Sequence, residues 1–222
     1  MHFDPIINAT KNRYHLVKFS FSLFERAWTL RGMENLMLDF LKNRSFVKEL
    51  FAIITDFNIA IIKNLDYFSI DGLFFGDDWG CQRGLLMSPQ LWRELIKPCL
   101  KKMYEAGHKQ SYDIFLHSCG DISQILDDLI EIGLDVYNPF QPEVNDVEGM
   151  IEKYSNRLAF YGGIGLQKTL PFGTRKEIED EVENRLGLGR KYGGLIISPS
   201  HDMPGDIPLE NVFTMLEKLK CQ

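Results

Sequence analysis

The chain has 222 residues, 45% hydrophobic and 25% charged, with a formal net charge of −6 at pH 7. That composition is ordinary for a globular protein and supplies enough apolar material for one sizeable core. The acidic balance argues against a nucleic-acid partner, because phosphate contacts need clustered Lys and Arg. The richest basic stretch, Lys97 to Lys109, is broken by Glu105 and reads as the exposed face of a helix. No apolar run is long enough to span a membrane, and Met1 to Thr10 lacks the apolar stretch of a secretory signal. Cys81, Cys99, Cys119 and Cys221 have no framework spacing, so they are expected as reduced thiols in a cytoplasm.

Along the chain, apolar strand, polar loop and amphipathic helix recur. A strand is expected over Tyr14 to Ser20, then helices over Leu23 to Leu41 and Phe46 to Leu65. Asp71 to Phe75 reads as a strand ending in Gly76-Asp77-Asp78-Trp79-Gly80. Ser88 can cap the next helix, Pro89 suits its first turn, and Leu91, Leu95 and Ile96 give it an apolar face. Asp113 to Leu116 is a strand ending in His117-Ser118-Cys119-Gly120, after which Asp121 and Gln124 have capping-box spacing. Ile122, Ile125, Leu126, Leu129 and Ile130 then form one helical stripe. Leu134 to Tyr137 is a strand before Asn138-Pro139, and Val147 to Tyr154 a helix. Leu158 to Tyr161 is a strand closed by Gly162-Gly163, read as a tight turn. Thr174 and Glu177 pair as a capping box for a helix reaching Tyr192. Leu195 to Ile197 is the last strand, Ser198 to Asp206 a long loop, and Pro208 sits in the first turn of the final helix.

Six strands, each followed by helix, imply parallel pairing with right-handed crossovers. A doubly wound sheet and a barrel both fit, but the Gly-rich phosphate loop that the former predicts is missing. Without repeats or linkers, residues 1–222 read as one domain.

Ligands of parallel α/β domains meet the C-terminal ends of the strands, so the residues just after each strand are the candidates. His117 and Cys119, two apart in extended backbone, point the same way and suit joint capture of a metal. Imidazole and thiolate are typical zinc ligands. A third ligand must come from elsewhere. His201 is the best candidate because it ends another strand on the same rim, while Asp77, Asp78 or Asp202 would offer oxygen. Three protein ligands and one open position make a catalytic zinc site. Trp79 and Phe140 suit stacking on a flat ligand, although aromatics near a rim are more often packing. The backbone N–H groups of Gly162 and Gly163 suit an anionic group. Gln141 belongs to the same rim. His2, His15 and His108 lie off it, and Cys81, Cys99 and Cys221 receive no role.

Taken together, Leu30 to Asn35, Phe75 to Gly80, His117 to Asp121, Asn138 to Pro142, Phe160 to Gly163 and His201 to Asn211 resemble the uroporphyrinogen decarboxylase superfamily, in order and over nearly the whole chain. The resemblance implies a TIM-type (β/α)8 barrel. Six strands are two too few, so the first one or two βα units are expected to be missing. A fragment of a longer gene product is the simpler explanation, and a second subunit filling the gap the other. Such an open barrel would expose two strand edges and a slot of core.

The superfamily holds metal-free decarboxylases of haem biosynthesis and zinc-dependent methyltransferases that act with methylcorrinoid proteins and a thiol such as coenzyme M. The decarboxylases' Arg-rich N-terminal segment and early aspartate are not found here. His117 and Cys119 match the methyltransferases' His-x-Cys pair, but Ser200-His201 stands where their late cysteine would be, a departure that speaks against coenzyme M as acceptor.

The leading expectation is therefore methyl transfer with zinc on His117, Cys119 and His201. Asp77 or Asp78 would orient substrate or a zinc ligand, and Trp79, Gln141, Gly162 and Gly163 would bind substrate. The expected partners are a small-molecule substrate, a corrinoid protein and a second copy in a homodimer. The alternatives are porphyrinogen decarboxylation, with an aspartate on the pyrrole N–H groups and His201 assisting protonation, and a degenerate barrel with a binding role.

Overall fold

A computed structural model of the chain describes residues 3–220; His2 and Cys221 lie outside the described residues. After a short helix α1 (Asp4–Ala9), the core elements are β1 (Leu16–Phe19), α2 (Phe24–Arg31), α3 (Met33–Lys42), α4 (Arg44–Asn64) and β2 (Gly72–Gly76). A small hairpin of β3 (Gly80–Cys81) and β4 (Gly84–Leu85) follows, then α5 (Pro89–Leu95), α6 (Lys97–His108) and β5 (Asp113–His117). The second half runs α7 (Leu126–Glu131), β6 (Val136–Phe140), α8 (Val147–Tyr154), β7 (Ala159–Ile164), α9 (Thr169–Phe172), α10 (Arg175–Tyr192), β8 (Leu195–Pro199) and α11 (Leu209–Lys220).

Six of the strands form one sheet in the order β1-β2-β5-β6-β7-β8, every pair parallel. The sheet curls. Three strand spacings separate β5 from β8, about 14 Å in a flat sheet. Yet the rings of His117, at the end of β5, and His201, just after β8, have centroids 5.1 Å apart. Phe74 on β2 and Tyr161 on β7 likewise face each other at 6.3 Å across the interior. This is six strands' worth of a barrel wall. Among the described residues β1 pairs only with β2 and β8 only with β7, so both edges of this wall are open, as the strand tally led one to expect. A groove of about 720 Å³ runs beside β1, where Ile53 and Phe57 are 62% and 66% exposed.

Side chains on the outer face of the sheet meet the helices. Phe75 of β2 stacks on Phe19 of β1 and contacts Tyr104 of α6, and Phe75 and Tyr104 are fully buried. Ser88 caps α5 through its side chain, and the Thr174–Glu177 capping box opens α10, both as the sequence implies. No helix among the described residues is long and apolar enough to cross a membrane.

Several expectations need correction. The single helix over Leu23 to Leu41 is two, because Gly32 takes φ +83°, which a right-handed helix interior does not accommodate. Asp121 forms no capping box. Its carboxylate accepts the Ser123 N–H at 2.9 Å, and a 3-10 turn over Ser123–Ile125 precedes α7. Gly162 and Gly163 are not a turn. They lie inside β7, paired with Ile197 and Ser198 of β8. A Cβ on Gly162 would come within 2.8 Å of the Phe140 backbone nitrogen, so glycine lets two strands approach. Pro208 lies just ahead of α11, its carbonyl accepting the N–H groups of Asn211 and Val212.

Candidate metal centre

β5 delivers His117 to the C-terminal rim, and the alternation of extended backbone turns Ser118 away from it. Ser118 is fully buried, its hydroxyl accepting the Trp79 N–H at 3.1 Å. Cys119 therefore points back to the side of His117, and its Sγ lies 3.4 Å from His117 Nε2. His201 arrives from the loop after β8. One ligand atom from each of the three residues lies within 4.8 Å of the others. Tetrahedral zinc, with bonds of about 2.0–2.3 Å, holds its ligand atoms roughly 3.3–3.8 Å apart. The His117–Cys119 pair already has that spacing, and His201, exposed on its loop, has only a short distance to close. Two imidazoles and a thiolate suit zinc.

Protonation follows from the neighbours. Asn138 of β6 directs its Nδ2 to the Tyr161 carbonyl at 3.0 Å, so its Oδ1 faces His117 Nδ1 at 2.6 Å. Nδ1 must then carry the proton, which leaves the lone pair of Nε2 aimed toward Cys119. Burial is the largest influence on His117 and holds its pKa below the usual histidine range. Burial, followed by the negative charges of Asp78 and Glu25, pushes the Cys119 thiol up to about 12. Neutral thiol beside neutral imidazole is not the ion pair of a Cys–His nucleophile. A bound dication would reverse the preference of the thiol.

The two neighbouring aspartates have opposite fates. Asp78 accepts the Cys119 N–H at 2.8 Å and lies 3.9 Å from His117 Nε2, so it holds the loop that presents the ligands. Asp77 does not reach the site. It is fully buried and accepts the N–H groups of Phe24 and Glu25 at the start of α2, at 2.9 and 2.8 Å, and the Trp79 indole N–H at 2.8 Å. Burial pushes its carboxyl up to about 6 while these donors pull it down. A catalytic role for Asp77 is thus replaced by a structural one. Trp79 needs the same correction: it is fully buried against Trp92 and presents no face to a substrate. Phe140 is likewise core, stacked on Phe160.

Gln141 accepts the Gly120 N–H at 2.9 Å and so shapes the loop beside Cys119. Gly163 gives its carbonyl to Arg185 Nε at 2.8 Å. Asp202 donates its backbone N–H to His201 Nδ1 at 2.8 Å. His15 and His108 lie at the opposite, N-terminal end of the strands, bonded to Thr10 and Asp135. Cys81 is exposed in the hairpin and Cys99 half-buried on α6.

Three participants were not found by sequence reasoning. Glu25 is brought to the site by the capping of α2 on Asp77. Burial, then the charges of Asp78 and Asp77, push its carboxyl up to about 7. Lys18 and Tyr161, inside strands rather than after them, line a cavity of about 330 Å³ together with His117 and His201. Only the parity of each strand, read against the interior, would have flagged them.

A parallel, barrel-type α/β architecture with a His/Cys cluster on its C-terminal rim is the class these features define. The family described as Uroporphyrinogen decarboxylase (URO-D) matches residues 6–221, and the chain belongs to that family. Among solved structures it is similar to a methyltransferase from Methanosarcina mazei, with a TM-score of 0.77 and 20% identity over 97% of this chain and 61% of that one. The chain thus spans 61% of that structure's length. A truncated form of 3-deoxy-D-arabino-heptulosonate 7-phosphate synthase from Thermotoga maritima aligns with a TM-score of 0.47 and 11% identity over 92% of this chain and 60% of that one. No curated protein matches.

Proposed function

We propose that the protein is a zinc-dependent methyltransferase that moves a methyl group between a corrinoid held by a partner protein and a thiol or methylated small substrate. The observation that carries this reading is the convergence of His117, Cys119 and His201 within 4.8 Å at the mouth of the wall. These three residues would hold the metal and leave a fourth position open. Zinc bound there supplies Lewis acidity that lowers the pKa of a substrate thiol, giving a thiolate at neutral pH.

The chain's own groups do the rest. Asn138 orients His117, and Asp78 ties down the Cys119 backbone. A cavity of about 330 Å³ is at the lower end for ligand pockets and suits a small substrate, so a corrinoid would stay on its carrier, over the mouth. Porphyrinogen decarboxylation is less well supported. It needs an aspartate free to hold pyrrole N–H groups, and the Asp77 oxygens are taken by three protein donors.

Metal analysis of the purified chain beside its Cys119→Ser variant tests the reading. About one zinc per native chain, as a catalytic site holds, and loss of that zinc from a folded variant is the expected result. Folded native protein that takes up no zinc overturns it.

A further inference from the structure

In the loop after β5 that carries Cys119, every backbone N–H from 118 to 121 has a partner. Ser118 N–H goes to the Asn138 carbonyl at 2.8 Å, and Asp121 N–H to the Cys81 carbonyl at 2.9 Å. Between them, the Asp78 carboxylate accepts the Cys119 N–H at 2.8 Å, and Gln141 Oε1 accepts the Gly120 N–H at 2.9 Å. Four consecutive donors thus bond to four residues, which lie in β6, after β6, after β2 and in the β3–β4 hairpin.

The hairpin also backs the loop sterically. Gly120 is buried and takes φ +82°. A Cβ on it would stand 2.5 Å from the Cys81 nitrogen, and one on Gly80 would stand 2.6 Å from the Cys119 carbonyl oxygen. Hairpin and loop therefore meet backbone to backbone. The base of the hairpin is closed by Leu86 N–H on the Trp79 carbonyl at 2.8 Å. At its tip, Gln82 Nε2 donates to Gln167 Oε1 at 2.7 Å. A loop whose donors are all committed within the protein has little freedom left to lose when a ligand binds.

We propose that residues 118–121 are locked in the shape that presents Cys119 beside His117 before any metal binds, with Gln141 as a positioning residue and the hairpin as the backstop. That Cys119 is a zinc ligand rests on the methyl-transfer reading; the rigidity of the loop does not. Gln141 can act as a fixed point because its own carbonyl accepts both the N–H of Asn145, at 3.0 Å, and its Nδ2, at 2.8 Å.

Amide hydrogen exchange on metal-free protein, beside zinc affinity by chelator competition, tests this in native, Gln141→Leu and Gln141→Glu proteins. In metal-free native protein, Cys119, Gly120 and Asp121 should exchange as slowly as the amides of β5. Gln141→Leu strands the Gly120 N–H and should speed exchange in the loop about tenfold or more, with β5 unchanged. Its zinc affinity should fall about 10- to 100-fold. Gln141→Glu, which keeps an acceptor, should keep the protection. A native loop that exchanges like open chain and slows only when zinc is added overturns the proposal, and that outcome is read on native protein alone, whatever the folding of the variants. Native protection in Gln141→Leu overturns it too. A protected loop in a chain that takes up no zinc upholds the lock while the methyl-transfer reading falls. Zinc uptake by a loop left unprotected until the metal arrives does the reverse.

Discussion

Asn138 decides which nitrogen of His117 faces the cluster. Its amide is fixed at both ends, Nδ2 on the Tyr161 carbonyl and Oδ1 on His117 Nδ1, and the residue is 7% exposed. The imidazole consequently presents Nε2, the atom 3.4 Å from Cys119 Sγ. Such partners fix the tautomer and orientation of a metal-binding histidine.

Asn138→Leu should therefore weaken metal binding about 10- to 100-fold, whereas Asn138→Asp, which retains an acceptor at Nδ1, should lose less. Equilibrium dialysis against a chelator of known affinity reads both. Native-like affinity in Asn138→Leu would mean that His117 does not ligate through Nε2.

Metal binding should depend on pH through the Cys119 ligand. Burial, then the charges of Asp78 and Glu25, push the Cys119 thiol up to about 12, and it must lose its proton to ligate. His117, with its pKa lowered by burial, is already neutral at pH 7 and releases nothing. Apparent affinity should rise about tenfold per pH unit from 7 to 9. Competition with a chromophoric chelator across that range measures the slope, and a flat profile would exclude Cys119 as a ligand.

Asp77→Ala should damage the fold rather than the site. It strands the N–H groups of Phe24, Glu25 and the Trp79 indole in the interior. An unsatisfied buried donor costs about 1–3 kcal/mol, so the variant should lose at least about 2 kcal/mol. Zinc content per folded molecule should be unchanged. Native stability in denaturant with lost turnover would instead restore a catalytic role.

Glu25 gives stability its own pH signature. A carboxyl whose folded pKa is raised, here to about 7, stabilises the fold while protonated, and that contribution disappears as pH rises through the folded value. Native protein should lose stability relative to Glu25→Gln from about pH 4.5, near the unfolded glutamate pKa, to about pH 7. Thermal midpoints of the two proteins across this window supply the comparison. A constant difference would mean that the carboxyl titrates as it does in water.

The strand and helix order was legible because each element carries its own local chemistry. Thr174 and Glu177 bond to each other whatever surrounds them, and Val147–Tyr154 repeats its apolar positions at helical spacing. His117 and Cys119 were legible for a similar reason, since residues two apart on extended backbone share a side in any sheet. Gln124 was misread because capping-box spacing permits a box without compelling one. There the chain formed a 3-10 turn instead.

The sequence by itself determined which segments alternate, which positions start helices and which pair of side chains can bind a metal together. All of these are properties of a few neighbouring residues. Only the tertiary structure decided that the sheet curls far enough to bring His201 to His117, that Asp77 turns inward while Asp78 turns to the ligands, and that Lys18 and Glu25 belong to the site at all. Asp77 and Asp78 are the same residue type in adjacent positions. What separates them is the start of α2, more than fifty residues earlier in the chain, whose N–H groups reach one carboxylate and not the other. Period and propensity are set locally, but the direction in which a polar side chain turns is set by whichever donors the fold places beside it.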